Sequence, residues 1–347
     1  EGTITLTKSI QLLSANEGAF YTIAGNFNIT PASVGIQITI IGMRLLTGGI
    51  QSTIASPAGI RSTINILNDS LVGGLININH DNYNLVAASN YIYGGITMRY
   101  GKIIGNHISS GVTVSTDASP NNPNDTIQII GNLIYFYSGS NVGVINWHSS
   151  SQFFSIQNNF LYNTYPSNNI NFGLYVSNSK SSLTGRNSII NNTVYKSVYS
   201  IYYGFTIATA ANSMTDFINN LVVSPIYQYA YAFSGGSFNA HYNYATSFSW
   251  TGITNDGTNL TATNTTLNSV GLVNNVNSNT INGGITDSAY VDINLTRNDV
   301  GCYGGSFTID NFFPITASDW ARVFLVTAPR RVLLNGSIQV KAFGFDK

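Results

Sequence analysis

One phrase recurs along this chain at intervals that exclude most folds: an apolar β-forming pair, then Asn-Asn or Gly-Asn, then more apolar residues. It reads Ile103-Ile104-Gly105-Asn106-His107-Ile108, Ile129-Ile130-Gly131-Asn132-Leu133-Ile134, Ile156-Gln157-Asn158-Asn159-Phe160-Leu161, Ile189-Ile190-Asn191-Asn192-Thr193-Val194 and Phe217-Ile218-Asn219-Asn220-Leu221-Val222. Weaker copies flank these, at Ile40-Ile41-Gly42-Met43, Ile66-Leu67-Asn68-Asp69, Ala240-His241-Tyr242-Asn243 and Ala262-Thr263-Asn264. Copies follow one another at about 28 residues, within the range of solenoid repeats. A four-stranded propeller blade needs about 40 residues, and a β-α repeat needs a helical pattern in every copy. Three short strands joined by three bends fit the interval, with length variation absorbed in the bends. The chain is therefore read as all-β, a parallel β-helix of about eight to ten coils.

The bend residues follow from the same geometry. Asn tolerates left-handed backbone, and its amide both donates and accepts, so Asn residues stacked coil on coil satisfy one another. Asn68, Asn106, Asn132, Asn159, Asn192, Asn220 and Asn243 are the expected ladder, with flanking aliphatic residues filling the bore. Composition agrees: 45 Asn and 38 Ser stand against only two Glu, which disfavours helices.

The ends are distinct. The alternating run Thr3-Ile4-Thr5-Leu6-Thr7-Lys8-Ser9-Ile10-Gln11-Leu12-Leu13 resembles the opening strands of pectin-lyase-like right-handed parallel β-helices. The run Asp292-Ile293-Asn294-Leu295-Thr296-Arg297-Asn298-Asp299-Val300-Gly301-Cys302-Tyr303-Gly304-Gly305 is similar to the phrase that closes many secreted bacterial members of that superfamily, which often leave by a type IX secretion pathway. The resemblance covers about residues 1–310 and implies a right-handed helix. Residues 1–40 are assigned to an N-terminal cap and first coil, and 41–313 to the parallel β-helix. Residues 314–347, with the hairpin signal Asn335-Gly336, form a C-terminal β-hairpin segment or open a following domain. Asp292, Arg297 and Asp299 are read as cap residues, and Cys302 as a small core side chain.

The superfamily's lyases and hydrolases act on acidic polysaccharides, through a Lys or Arg base beside calcium-binding acids or through clustered Asp residues. None of the 12 Asp residues here is adjacent to another, and the polygalacturonase-type Asn-x-Asp, Asp-Asp, Gly-His-Gly and Arg-x-Lys signatures are missing. Calcium is indicated by no motif, and no cofactor is expected. Weak acid-base candidates gather in one region: His80, Asp81, Arg99, Lys102 and His107, beside the polar stretch from Asp117 to Asp125. The 21 Tyr offer a different chemistry. Tyr135, Tyr137, Tyr162, Tyr165, Tyr199 and Tyr203 follow the Asn bends and are candidates for an outer aromatic face that stacks on sugars.

Charge narrows the partners. With 14 basic and 14 acidic side chains and no cationic run, nothing suggests a nucleic-acid surface. No apolar stretch has the length of a membrane-spanning helix. The expectation is a non-catalytic structural or binding module, adhesin-like, of a secreted or cell-surface bacterial protein. It would contact a polysaccharide or cell-surface glycan and sit beside other domains of a longer precursor. The alternatives are a polysaccharide lyase or glycoside hydrolase, and a stalk or filament subunit.

Overall fold

In the computed structural model, the described residues are 2–14, 19–118, 125–136, 143–163, 172–182, 184–196, 201–313, 315, 321–328 and 337–346. They form a parallel β-helix. Each interior coil contributes one strand to each of three parallel sheets, and its strands pair with their counterparts one coil away. The first sheet, preceding the Asn bend, has ten strands, from Ile10–Leu13 to Ser237–His241. The second sheet follows the bend, from Met43–Thr47 through Phe160–Asn163 to Leu260–Thr261. The third runs from Gly2–Leu6 through Val112–Val114 to Trp250–Thr251. Tyr21–Ile29 serves the second sheet with its first half and the third with its second. Among the described residues the only helical elements are two 3-10 turns, and no helix is long and apolar enough to cross a membrane.

The first member of each aliphatic pair of the repeat lines the bore, and the second faces outward. Leu12, Ile40, Ile66, Ala87, Ile103, Ile129, Ile156, Ile189, Phe217 and Ala240 stand in one register down the first sheet. From Ile40 to Phe217 each is fully buried. Strands two to six residues long suffice in the interior of the stack because each is paired on both sides there, with its inner face sealed by the other sheets.

Beside this register runs the amide ladder: Asn90, Asn106, Asn132, Asn159, Asn192, Asn220, Asn243 and Asn259. Each Oδ1 accepts from the backbone N–H and the Nδ2 of the rung before it, the amide-to-amide distances being 2.8–3.1 Å. Each Nδ2 also donates to a main-chain carbonyl of the preceding coil, as Asn159 does to Ile129 at 2.8 Å. Asn68 is not a rung. It occupies the left-handed position before it, with φ 52°, and Asp69 ends the stack, accepting from Met43 N at 2.6 Å. Asn90 and Asn259 are rungs absent from the expected list, so the interval between Asn68 and Asn106 is two coils rather than one long one. Rung separations run from 16 to 33 residues, with the 28-residue coil inside that range.

Paired glycines make a second corner possible between the second and third sheets in the N-terminal coils. A Cβ on Gly74 would lie 1.5 Å from the carbonyl oxygen of Gly48, so backbone passes backbone there at a distance no side chain permits.

Residues 262–313, expected among the coils, run back along the outside of the helix. Asn219 and Asn191 donate through Nδ2 to Asn298 Oδ1 at 3.0 and 2.9 Å, and Asn158 donates to the carbonyls of Cys302 and Gly304. Phe312 then lies against Gly105 and Gly131, where any Cβ would meet its ring within 2.7 Å. The strands Ala321–Thr327 and Lys341–Asp346 pair antiparallel, and Phe324, Leu325 and Phe345 cover Ile41, Leu67, Ala88, Ile104 and Ile130 on the outer side of the first sheet. The Asn335-Gly336 turn lies outside the described residues. Cys302 is buried, its thiol pushed up to about 12 by burial.

Removing one rung tests the ladder. Asn159→Ala strips the acceptor from the backbone N–H and Nδ2 of Asn132 and the donor from the Ile129 carbonyl. Urea unfolding should show a loss of about 2–4 kcal/mol with an unchanged denaturant slope. A loss within the scatter of surface substitutions would refute the ladder's contribution.

Candidate functional site

Polar side chains converge at the bend that leads from the third sheet into the first. Arg61, Tyr100 and Asp125 each immediately precede a first-sheet strand, at Ser62–Leu67, Gly101–Ile104 and Thr126–Ile130. The coil stack therefore brings them together although Arg61 and Asp125 are 64 residues apart. The Arg61 guanidinium donates to Asp125 Oδ2 at 2.9 Å and to Asp117 Oδ2 at 3.2 Å, and lies over the Tyr100 ring at 4.0 Å. Tyr100 donates to Asp125 Oδ1 at 3.3 Å, and its phenol is pushed up to about 12, first by burial and then by the Asp125 charge. Next to them Asp81 accepts from Arg99 at 2.6 Å and from the Ala118 N–H at 2.9 Å. Burial raises the Asp81 carboxyl, but Ala118 and Arg99 outweigh it and leave the group below the ordinary carboxylate value. His80 Nδ1 is hydrogen-bonded to Ser52 Oγ at 2.9 Å.

Three carboxylates and two guanidiniums thus face one another in a partly buried cluster. Fork-shaped arginines suit this geometry because one head can serve two acids. With Asp81 held as an anion, it can act as a base or as a counter-ion but not as a proton donor near neutrality. Among the described residues no three His, Cys, Asp or Glu side chains are arranged to hold a metal.

The five acid-base candidates do not form one site. Asp81 and Arg99 meet here, while the partner of His80 is Ser52. Lys102 lies on the outer face of the first sheet, its ammonium 3.9 Å from the Phe343 ring centre, its pKa lowered by burial and then by Lys341. His107 lies on the second sheet between Tyr91 and Tyr135, ring centres 5.3 and 4.9 Å away, its pKa lowered by burial. A strand bends between Lys102 and His107, so five residues of sequence separate two faces of the helix. No local motif marks Arg61, and only the coil register reveals it.

Of the tyrosine candidates, Tyr135 and Tyr162 continue the His107 row, with Tyr162 stacked on Tyr195 at 4.9 Å. This face is partly roofed by the returning segment, for Tyr135 donates to the Ser269 carbonyl at 2.8 Å. Tyr203 belongs to a second row on the third sheet, stacked between Phe172 at 5.2 Å and Tyr229 at 6.1 Å. The Tyr135–Tyr162 contact is edge-to-face, whereas Tyr162 with Tyr195 and Tyr203 with its neighbours stack face on face. Tyr137, Tyr165 and Tyr199 lie outside the described residues.

A groove of about 360 Å³ runs past Tyr195, Lys196, Ser224, Thr246 and Thr265. Its hydroxyls are engaged internally: Thr246 with the Ser224 backbone, Thr265 with Ser278. Further along, the Asp292 carboxylate accepts from Gly305 N at 2.5 Å and from Asp299 N at 3.1 Å, while Arg297 donates to the carbonyls of Gly284 and Gly283. These residues tie the returning segment to itself.

The chain matches no protein-family model, no curated protein and no solved structure.

Asp292 supplies a pH test. Burial first, and the nearby Asp299 charge, raise its carboxyl from 3.8 to about 6 despite the amide hydrogen bonds. Its folded pKa is the higher one, so its contribution is full below the unfolded value and is lost as pH rises through about 6. Asp292→Asn keeps an acceptor and removes the titration. The thermal midpoint of this variant minus that of the parent should therefore increase between about pH 4 and about pH 7, and a constant difference would refute the assignment.

Proposed function

We propose that this chain is a non-catalytic binding module of a secreted or cell-surface bacterial protein, contacting neutral glycan through the outer face of its third sheet. One observation carries the reading. A single register runs the length of that face through Thr5, Asn28, Gln51, Asn77, Thr97, Thr113, Asn146, Tyr175, Thr206, Ala232 and Thr251, without a charge. The returning segment and the C-terminal strand pair pack on the second and first sheets instead.

Asn146 is buried and bonded to Gly143 through both ends of its amide, and the Thr206 hydroxyl is buried. The other amides and hydroxyls, repeated at the coil spacing of about 4.8 Å, can bond to sugar hydroxyls, and the edges of Tyr175, Tyr203 and Tyr229 extend the row toward the C-terminal coils. Each contact is weak, and affinity comes from their number along a rigid surface. No cofactor enters the interaction. Because the face is uncharged, its binding is expected to be insensitive to salt.

A second reading rests on the Arg61, Asp81, Arg99, Asp117 and Asp125 cluster, which would serve a lyase or hydrolase acting on an acidic polysaccharide. One experiment separates the two. The chain is incubated with neutral and acidic polysaccharides, with and without calcium; retention is followed by affinity electrophoresis and soluble products by mass spectrometry. The proposal expects retention by a neutral polymer, little changed by salt, and weakened at least about fivefold by Thr97→Lys with Thr113→Lys, which place charge and bulk on the face. Shortened oligosaccharides that vanish in Asp81→Asn or Arg61→Ala would overturn it in favour of the enzyme.

A further inference from the structure

The returning segment does not lie flush on the coils along its whole length. Between the bends at Asn158 and Asn191 on one side and the stretches around Tyr290 and Phe307 on the other, it leaves a cavity of about 240 Å³. The coils supply one wall and the segment the other, so the cavity exists only because the segment has docked.

The three Asn bends that hold the segment are not equally satisfied. Asn219 uses both ends of its amide: Nδ2 donates to Asn298 Oδ1 at 3.0 Å, and Oδ1 accepts from Ile285 N at 2.9 Å. Asn158 and Asn191 use one end only. Asn158 Nδ2 donates to the carbonyls of Cys302 and Gly304, and Asn191 Nδ2 to Asn298 Oδ1 and the carbonyls of Asp299 and Gly301. Each Nδ2 faces oxygens alone, so turning either amide over would set oxygen against oxygen, and the orientation is fixed. The two Oδ1 atoms accept no hydrogen bond among the described residues, although each residue is only 2% exposed and lines the cavity. A buried amide oxygen in this position calls for a donor from outside the chain.

The rest of the wall meets the same requirement. Gln157 donates through Nε2 to Ser155 Oγ at 2.7 Å and keeps Oε1, and the Ser306 hydroxyl has no partner among the described residues. Tyr290 and Phe307 add ring surface. No acidic or basic side chain is among the described residues of the lining, so a charged ligand would lose its hydration and gain no counter-charge.

We propose that this cavity binds one neutral sugar ring. The two buried oxygens stand on successive coils, about 4.8 Å apart along the stack, and each accepts from one ring hydroxyl. Ser306 makes a further bond, and the C–H face of the sugar packs on Phe307. The volume is below the usual range for drug-sized ligands and suits a single ring. This site is separate from the third-sheet face and does not depend on it.

Calorimetric titration of the intact chain with neutral monosaccharides of differing hydroxyl configuration, beside a uronic acid and an amino sugar, tests this. The expected result is saturable binding of a neutral sugar at one site per chain, with a dissociation constant on the order of millimolar for so small a ligand. The charged sugars are expected to bind at least about tenfold more weakly. Ala289→Phe and Ser306→Leu each fill the cavity from a partly exposed position without touching the Asn bends. Either change is expected to raise the dissociation constant at least about tenfold, with circular dichroism and thermal midpoint retained to show folding. Thr97→Lys with Thr113→Lys alters the third-sheet face alone and is expected to leave this binding within about twofold. No binding of any neutral sugar up to about 50 mM would overturn the proposal and leave the cavity to water. Binding that neither cavity-filling variant weakens, or that the charged sugars share equally, would overturn it as well.

Discussion

A buried stack of amides is the constraint from which the rest of this structure follows. Every rung from Asn90 to Asn259 points its carbonyl toward the N-terminal coil and its NH2 toward the C-terminal one. A one-residue slip in any coil would leave two buried donors and two acceptors unmatched, at about 1–3 kcal/mol apiece, and would turn the aliphatic register outward. The stack thereby holds register at one corner while the other corners vary. That is why coils whose rungs are 16 and 33 residues apart belong to one continuous helix.

How much was legible in the sequence follows from the same distinction. The bore and most rungs repeat as a local phrase, and the fold class, the bend and the aliphatic register could be read from it. Asn90 and Asn259 escaped because Ser89 and Thr258 stand where the phrase has Gly or Asn, and Asn68 was mistaken for a rung because Asp69 fills the amide position with a carboxylate. Long-range assemblies carry no such local mark. Arg61 reaches Asp117 and Asp125 across 56 and 64 residues, and no spacing rule announces that three coils have carried them to one bend. The five acid-base candidates looked like a cluster because they are close in sequence. In a β-helix closeness in sequence leads round the corner, while closeness in space lies one coil away.

The outer residue of each bend shows how local and distant sequence are matched. Left-handed backbone recurs at this position in the coils from Gly42 to Tyr242, where Gly or Asn supplies it at least cost and Ser89 and Tyr242 are the exceptions. Which of the two is present depends on what the returning segment brings. Where it presents main-chain carbonyls and Asn298, the bends carry Asn158, Asn191 and Asn219, whose amides bind them. Where it presents the Phe312 ring, the bends carry Gly105 and Gly131, because a Cβ would occupy the ring's place. The dihedral requirement alone would allow either residue at all five positions. The choice between them was therefore set by contacts made some 80 to 207 residues later in the chain, from Asn219 with Asn298 to Gly105 with Phe312, and the bend sequence is a partial record of the path that segment takes.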